Sequence, residues 1–125
     1  MTINTALATV DEMKPNMMST QLKLQFLTEI EQLFHQEVLM KHEHAEEQES
    51  LPVYDTDTDP GKELIVPDPY SMMYVYWLLA KIDQQTLEED KWDRDMQRFE
   101  QSYGTASDMW TRNHMPIRRN RQLWI

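Results

Sequence analysis

Residues 68–85 read DPYSMMYVYWLLAKIDQQ and contain the longest apolar run of the chain, Met72 to Ala80. Asp68 predicts a helix N-cap and Pro69 the first helical position, so we expect a helix from Tyr70 to Gln85. The apolar side chains of the stretch are Met72, Met73, Tyr74, Val75, Tyr76, Trp77, Leu78, Leu79 and Ile82. They cover the whole circumference of the helix, a pattern that indicates burial on most sides. In a chain of 125 residues, we expect a neighbouring subunit to bury some of that surface.

Two helices are predicted ahead of this stretch, because apolar residues recur there at spacings of three and four. These residues are Ile3, Leu7 and Val10 in the first helix, and Phe26, Leu27, Ile30, Leu33, Phe34 and Leu39 in the second. Pro15 ends the first helix. Ser19 or Thr20 caps the second, which we expect to continue to about His44.

A fourth helix, from about Leu87 to Arg112, has the cleanest amphipathic stripe in the chain. The stripe consists of Trp92, Met96, Phe99, Tyr103, Ala106 and Trp110. Pro116 ends this helix. Together the four patterns predict a mainly α fold: a small bundle of about four helices in a single domain of residues 1–116, followed by an extended C-terminal arm of residues 117–125.

Between the second and third helices, residues 51–66 predict a short β-hairpin or an extended loop. Asp55, Asp57 and Asp59 alternate there like the first ligands of a calcium loop. That loop needs glycine at its sixth position and glutamate at its twelfth, where this chain has Pro60 and Val66. We therefore favour a solvated turn in which the aspartates bond their own backbone, and keep a weak divalent-cation site as the alternative.

The composition excludes several classes of function. The chain has no cysteine, which excludes disulfide scaffolds, thiolate zinc sites and cysteine nucleophiles and favours the reducing interior of a cell. Its two glycines, Gly61 and Gly104, form no glycine-rich loop, which excludes P-loop and Rossmann nucleotide sites. The longest apolar run, Met72 to Ala80, is far shorter than the roughly 20 residues of a membrane span. We therefore expect a soluble protein that is not exported.

The charge is distributed unevenly along the chain. The net charge is −10, but residues 1–108 hold 8 basic and 22 acidic residues, whereas residues 109–125 hold four arginines and no acid. The acidic body opposes nonspecific binding to nucleic acid. The basic and apolar residues of the arm are Arg118, Arg119, Arg121, Leu123, Trp124 and Ile125. Their combination leaves two interpretations open, a disordered basic end and a docking segment.

No catalytic, cofactor-binding or metal-binding residues are predicted. The acids of residues 88–90, with Asp93 and Asp95, fall at polar positions of the fourth helix, where we expect them to face water with ordinary pKa values. His35, His42 and His44 lack the spacing of a metal site. We therefore expect a protein that is not an enzyme.

Ten methionines and twelve aromatic residues favour binding to a partner. The large side chains on the stripe of the fourth helix are best explained by core packing. Tyr70, Tyr74, Tyr76 and Trp77 cannot all face one small core. We predict these four residues, with the arm, at an interface with another subunit or a partner protein.

Several segments of the chain resemble a known family. They are residues 2–7 (TINTAL) with Val10-Asp11 and Lys14-Pro15-Asn16, residues 63–77 (ELIVPDPYSMMYVYW), residues 80–83 (AKID), residues 95–99 (DMQRF) with Tyr103, and residues 110–116 (WTRNHMP). In their order and spacing they look like the small head–tail connector proteins of tailed bacteriophages, which include neck, adaptor and head-completion proteins. The resemblance covers both ends of the domain, and none of the segments is a catalytic signature.

The resemblance implies a structural virion protein without catalytic residues. Such a protein is made in the cytoplasm of the bacterial host and forms a homo-oligomeric ring in the virion neck, between the capsid portal and the tail or the next neck protein. DNA passes through the channel of the ring without sequence-specific binding. In that setting, we expect the acidic loop of Asp55, Asp57 and Asp59 to face the channel, and the arm to reach the portal or a neighbouring subunit.

Two other classes of function compete with this one. An acidic helical body presents carboxylates at spacings that mimic DNA phosphates, so the main alternative is an inhibitor of a host nuclease or DNA-binding protein. The basic residues of the arm argue against that alternative, because a DNA mimic is expected to be acidic. A small cytoplasmic enzyme would require a pocket lined by titrating residues, for which the sequence offers no candidate.

Overall fold

The computed structural model describes residues 1–39 and 51–113. Its helices are α1 (Ile3–Met13), α2 (Thr20–Glu37), α3 (Met72–Gln85) and α4 (Glu89–Asn113). The prediction of a mainly α bundle of about four helices is thereby confirmed. α2 ends at Glu37, with Val38 as its C-cap, and so stops short of the end that was expected near His44. Residues 40–44 and the C-terminal arm lie outside the described residues. None of the helices in the described ranges is long and apolar enough to cross a membrane.

Short polar side chains begin the first two helices. Thr2 Oγ1 accepts a hydrogen bond from the amide of Thr5 at 3.1 Å. Ser19 Oγ accepts one from the amide of Leu22 at 3.1 Å, which confirms Ser19 as the cap of α2. Each cap satisfies a backbone donor that has no partner within its own helix.

The beginning of α3 differs from the sequence prediction. Asp68 and Pro69 lie in a turn that is closed by a hydrogen bond from the amide of Tyr70 to the carbonyl of Pro67 at 2.9 Å. The Asp68 carboxylate accepts a hydrogen bond from the hydroxyl of Ser71, which is the N-cap residue. Because the turn uses the residues expected to form the first helical turn, α3 begins two residues later than predicted.

α3 lies at the centre of the fold and is buried on most sides, as its apolar pattern predicts. Its buried residues are Met73, Tyr74, Val75, Leu78, Leu79, Ala80, Ile82 and Asp83. α4 makes the most extensive contact with α3, and α1 and α2 pack on its other sides. The chain's own helices therefore bury most of this surface, and burial of the half-buried remainder by a neighbouring subunit stays a prediction.

The predicted stripe of α4 packs against this core. The stripe residues Met96, Phe99, Tyr103, Ala106 and Trp110 are buried or half-buried there. The rings of Tyr103 and Trp110 meet the ring of Phe34 in α2 edge-on, with centroids 5.8 and 6.0 Å apart. Phe99 contacts both Trp77 and Tyr103, at centroid distances of 4.8 and 5.6 Å. Such aromatic pairs add about 0.5–1.5 kcal/mol each beyond the burial of their area.

Residues 51–66 form an extended loop and not a β-hairpin. The described residues contain no β-strand, and one isolated antiparallel bridge joins Thr2 to Glu63. Beside that bridge, the amide of Ile3 donates to the carbonyl of Lys62 at 3.0 Å. A hairpin is absent because the loop pairs with the start of the chain instead of with itself.

The same loop is also fastened to α2. The amide of Tyr54 donates to Thr28 Oγ1 at 2.9 Å, and Gln32 Nε2 donates to the carbonyl of Pro52 at 3.0 Å. The loop therefore joins the N-terminus to α2 and closes one side of the bundle.

α3 ends in a turn that contains an unusual residue. The amide of Glu88 donates to the carbonyl of Asp83 at 2.9 Å, and the amide of Leu87 donates to the carbonyl of Gln84 at 3.3 Å. These two bonds define a Schellman motif in which Leu87 takes the left-handed position, with φ of 59°. Glycine is usual at this position, because a Cβ atom makes the left-handed backbone costly.

Candidate functional site

Glu31 of α2 is fully buried and hydrogen-bonded on both carboxylate oxygens. Its Oε1 accepts from the hydroxyl of Tyr74 at 2.5 Å. Its Oε2 accepts from the hydroxyl of Tyr54 at 2.7 Å and from the amide of Ile65 at 2.9 Å. The Tyr74 hydroxyl in turn accepts from the amide of Val66 at 2.9 Å. This group of Glu31, Tyr54 and Tyr74, the Glu31 cluster, joins α2, the loop and α3.

Burial determines how the Glu31 cluster titrates. It raises the pKa of Glu31, and the hydrogen bonds that the carboxylate accepts oppose that rise without cancelling it. Burial and the nearby Glu31 carboxylate raise the pKa of Tyr54 and Tyr74 well above the ordinary range, so both hydroxyls remain donors. Sequence reasoning missed Glu31, although its register with Leu27 and Phe34 places it on the apolar face of α2.

A second buried cluster lies between α3 and α4. Asp83 and Asp95 are 0% and 1% exposed, and the carboxyl group of Asp95 is near enough to contribute to the raised pKa of Asp83. We call these two residues the aspartate pair. Lys14 donates from Nζ to Asp83 and, at 3.0 Å, to Glu88. Burial raises the pKa of Asp83 to about 6, and the neighbouring Asp95 adds to that rise, whereas Lys14 opposes it.

The position of Asp95 corrects the sequence analysis, which placed this residue in water. Asp95 lies one helical turn before Phe99 and three residues after Trp92, so it belongs to the stripe that faces α3. Its carboxylate has two cationic neighbours: Arg94 Nε lies 3.3 Å from Oδ1, and Arg98 Nη1 lies 3.8 Å from the same atom. The acids around it that are exposed or half-buried, as expected, are Glu88, Glu89, Asp90 and Asp93.

The acidic loop of Asp55, Asp57 and Asp59 is exposed, as expected of a solvated turn. Asp55 Oδ1 accepts a hydrogen bond from the amide of Asp57, and Asp59 Oδ1 accepts one from the amide of Gly61, both at 2.9 Å. These are the local backbone bonds predicted for aspartates in a turn. Within the described ranges, no three His, Asp or Glu residues are grouped so that they could hold a metal ion. The orientation of this loop toward a channel stays a prediction.

The predicted interface residues have different surroundings. Tyr74 is fully buried, with its hydroxyl on Glu31, so it belongs to the core of the subunit and its expected place at an interface is corrected. Tyr70, Tyr76 and Trp77 are half-buried, and their role at an interface stays a prediction. The arm residues Arg118, Arg119, Arg121, Leu123, Trp124 and Ile125 lie outside the described residues.

An open groove lies at the corner where α3 turns into α4, and we call it the corner groove. It has a volume of about 430 Å³ and is lined by Asp83, Gln84, Leu87, Glu88, Glu89, Trp92 and Asp93. Leu87 is 86% exposed, and Trp92 is half-buried. Sequence reasoning took Leu87 as the start of the fourth helix, and so it missed the groove.

Besides the buried Asp83, the carboxylates of the corner groove divide into two groups. Glu88 accepts hydrogen bonds from Lys91 and Lys14, which lower its pKa to about 2. Glu89 and Asp93 are exposed, and neither forms an ion pair with any residue in the described part of the chain. The groove therefore combines apolar side chains with uncompensated negative charge.

Comparisons of the chain with protein-family models, with curated proteins and with solved structures found no match. The observations from which a function is proposed are therefore the sequence, the fold, the two buried clusters and the corner groove.

Proposed function

We propose that this chain is a structural protein of a tailed-bacteriophage virion. In this proposal, copies of the chain form a ring-shaped adaptor in the neck, between the capsid portal and the tail or the next neck protein, and the ring helps to hold or pass DNA at the exit vertex. The role is structural and not enzymatic. The observation that carries the proposal is how the segments that resemble connector proteins fold together.

These segments are distant in the sequence and adjacent in the fold. Residues 2–7 lie against the start of residues 63–77, where the isolated antiparallel bridge joins Thr2 to Glu63. The rest of that second segment forms the first part of α3. Residues 95–99 lie in α4, which packs along α3. Their packing into one unit supports the interpretation that their order and spacing belong to a single connector-like domain.

The buried titratable groups support a structural role. Glu31 and Tyr74 join α2 to α3, and Lys14 and Asp83 join the segment after α1 to α3, in each case through bonds within the subunit. Bonds of this kind fix the helices relative to one another. A ring needs such rigidity, because each subunit must present its two contact faces at one constant angle.

The exposed charge of the body supports a position next to DNA. Asp55, Asp57 and Asp59 project into solvent, and the α4 residues Glu89 and Asp93 do the same. Carboxylates on the wall of a channel repel DNA phosphates, so DNA slides past them without adhering.

The test uses isolated portal rings or DNA-filled capsids that lack tails. After incubation with the purified chain, cosedimentation and negative-stain microscopy are expected to show an added ring at the portal vertex. The portal has to be present, because subunits that assemble only on a template are monomers in solution. Capsids that already carry a complete neck are the control, because their docking surface is occupied. Absence of an added ring on the tailless capsids would overturn the proposal.

The exposed carboxylates also favour the second candidate function, a DNA-mimic inhibitor of a nuclease or DNA-binding protein. Inhibition that weakens as the salt concentration rises, by a chain that does not bind the portal, would support this candidate. Replacing Asp55, Asp57 and Asp59 together by asparagine would then weaken inhibition. The same triple variant is expected to retain ring formation on the portal if the chain is an adaptor.

A further inference from the structure

We propose that the arm of one copy, residues 117–125, docks in the corner groove of a neighbouring copy, with its arginines against Glu89 and Asp93 and its apolar end against Leu87 and Trp92. The inference rests on the proposed ring, since it names the contact that joins one subunit to the next.

The apolar half of the groove points to a binding role. Leu87 combines a left-handed backbone, which costs stability, with a side chain that is 86% exposed and therefore gains little from burial in its own subunit. Trp92 is half-buried and, unlike Trp110, is not one of the stripe residues packed against the core. Both side chains line the same groove. Backbone strain at an exposed apolar residue is explained when a partner covers that residue.

The charge of the groove matches the charge of the arm. Glu89 and Asp93 bring two exposed carboxylates that form no ion pair within the described residues. The arm brings Arg118, Arg119 and Arg121, and the chain has no acid after residue 108. Arginine binds carboxylates through paired hydrogen bonds, and an apolar end that follows the arginines fits the apolar half of the groove.

The geometry of α4 favours the groove of a second copy over the groove of the same chain. Glu89 and Asn113 are the two ends of α4, about 36 Å apart at a rise of about 1.5 Å per residue. A fully extended chain spans at most about 3.6 Å per residue, so Arg118 and Arg119 lie no more than about 18 and 22 Å beyond Asn113. Arg121 lies no more than about 29 Å beyond Asn113, so the backbone of none of the three arginines reaches as far as Glu89 of its own chain. A neighbouring copy imposes no such limit.

This contact is of the kind that builds rings. The arm and the corner groove are different surfaces of one subunit, so each copy gives its arm to one neighbour and receives an arm from the other. Repeating such a head-to-tail contact produces a closed ring when a whole number of equal rotations between copies adds up to a full turn.

The test uses site-specific cross-linking of full-length chains, which is free of background because the chain has no cysteine. A short bis-maleimide linker is attached to the L87C variant, which is then mixed with the L123C variant, in solution and on portal rings. The control replaces the L87C variant with D57C. Like Leu87, Asp57 is exposed and has acidic residues near it. We expect at least about fivefold more cross-linked heterodimer with L87C, and a loss of that excess when salt rises from about 0.05 to about 0.5 M.

A charge exchange tests the pairing directly. Adding E89K and D93K to the L87C copy is expected to abolish the excess cross-link, and adding R119E and R121E to the L123C copy is expected to restore it. Equal yields with L87C and D57C, both in solution and on the portal, would overturn the inference. An intramolecular cross-link in the L87C/L123C double variant at high dilution, without a cross-link between copies, would also overturn it.

The failure of this inference is distinguishable from the failure of the proposed function. An added ring on the portal without the L87C–L123C cross-link would reject the arm contact and leave the adaptor function standing. A specific cross-link between copies that never dock on the portal would retain the contact and reject the adaptor function.

Discussion

The two ends of the central helix α3 contrast in how their polar groups are satisfied. At one end, Glu31 and Tyr74 bond to each other and to neighbouring backbone amides, so the cluster is complete within the subunit. At the other end, Asp83 lies buried beside a second carboxylate, and the adjoining corner exposes Leu87. The first end therefore holds the fold through bonds within the subunit, whereas the second leaves a large apolar side chain exposed to solvent.

The largest expected effect comes from breaking the complete cluster. Glu31→Ala leaves two tyrosine hydroxyls and the amide of Ile65 without their buried acceptor, and we expect it to lower the free energy of unfolding by about 4 kcal/mol. Urea unfolding followed by circular dichroism measures the loss. The control is Glu37→Ala, which removes the exposed hydrogen bond from Tyr103 at 2.7 Å and is expected to cost about 0.5 kcal/mol. Equal losses in the two variants would contradict the structural role of Glu31.

The next largest effect is expected at the other end of α3. Lys14→Met removes the cation that bonds Asp83. The exposed groups of the corner are carboxylates and cannot replace that cation, so we expect the free energy of unfolding to fall by about 2–3 kcal/mol. Lys81→Met is the matched control, because Lys81 has the same 20% side-chain exposure but pairs with the exposed Glu29 at 3.6 Å. We expect the control to lose about 1 kcal/mol or less, mainly from the contact of its ammonium with the Trp77 ring. A smaller loss for Lys14→Met than for the control would show that the aspartate pair does not depend on this cation.

The sequence predicted the helices well because their apolar residues follow the helical period. The stripe through Phe99 and Tyr103 gave α4 within two residues at its start and one at its end, and the circumferential pattern of α3 predicted its burial. The start of α3 was misplaced, because Asp68 and Pro69 suit a turn as well as they suit a helix N-terminus. Local sequence does not decide between those two uses.

The buried charges were not predicted, because residue type alone suggests solvent for an acid. Asp95 and Glu31 both lie on the apolar faces of their helices, so register was the signal that could have identified them. Their partners come from elsewhere in the chain: Tyr54 from the loop, and Asp83 and Tyr74 from α3. Such pairings depend on tertiary packing, which the spacing within one helix does not contain. For the same reason, Tyr74 was expected at an interface.

A smaller effect, and one specific to the aspartate pair, is expected in the pH dependence of stability. The pKa of Asp83 is about 6 in the folded chain and 3.8 in its ordinary state, so folding takes up a proton between these pH values. The free energy of unfolding therefore falls as the pH rises from about 4 to about 6, and we expect about 2 kcal/mol to be lost across this window.

The measurement for this prediction compares the wild-type chain with Asp83→Asn. The asparagine variant has no carboxyl group at this position. As the pH rises through the window, we therefore expect the wild type to lose stability relative to the variant. Glu88 has a lowered pKa, so its contribution to stability is lost as the pH falls and not as it rises. Because Glu88 is present in both chains, this contribution cancels in the difference between them. A difference that stays constant from pH 4 to pH 6 would show that Asp83 does not titrate there.

The smallest expected effect separates stability from binding at the corner. Leu87→Gly removes the Cβ atom from a left-handed residue whose side chain is mostly exposed, so relief of strain outweighs the lost contacts, and we expect a gain of about 0.5 kcal/mol. Gln97→Gly, at an exposed position in the interior of α4, is the control and is expected to lose about 1 kcal/mol. Thermal unfolding of both variants measures these changes. If the Leu87→Gly chain is more stable but forms rings on the portal less readily, the leucine serves the contact between subunits at the expense of the fold. If the variant is less stable, Leu87 is one of the residues that stabilise the turn between α3 and α4.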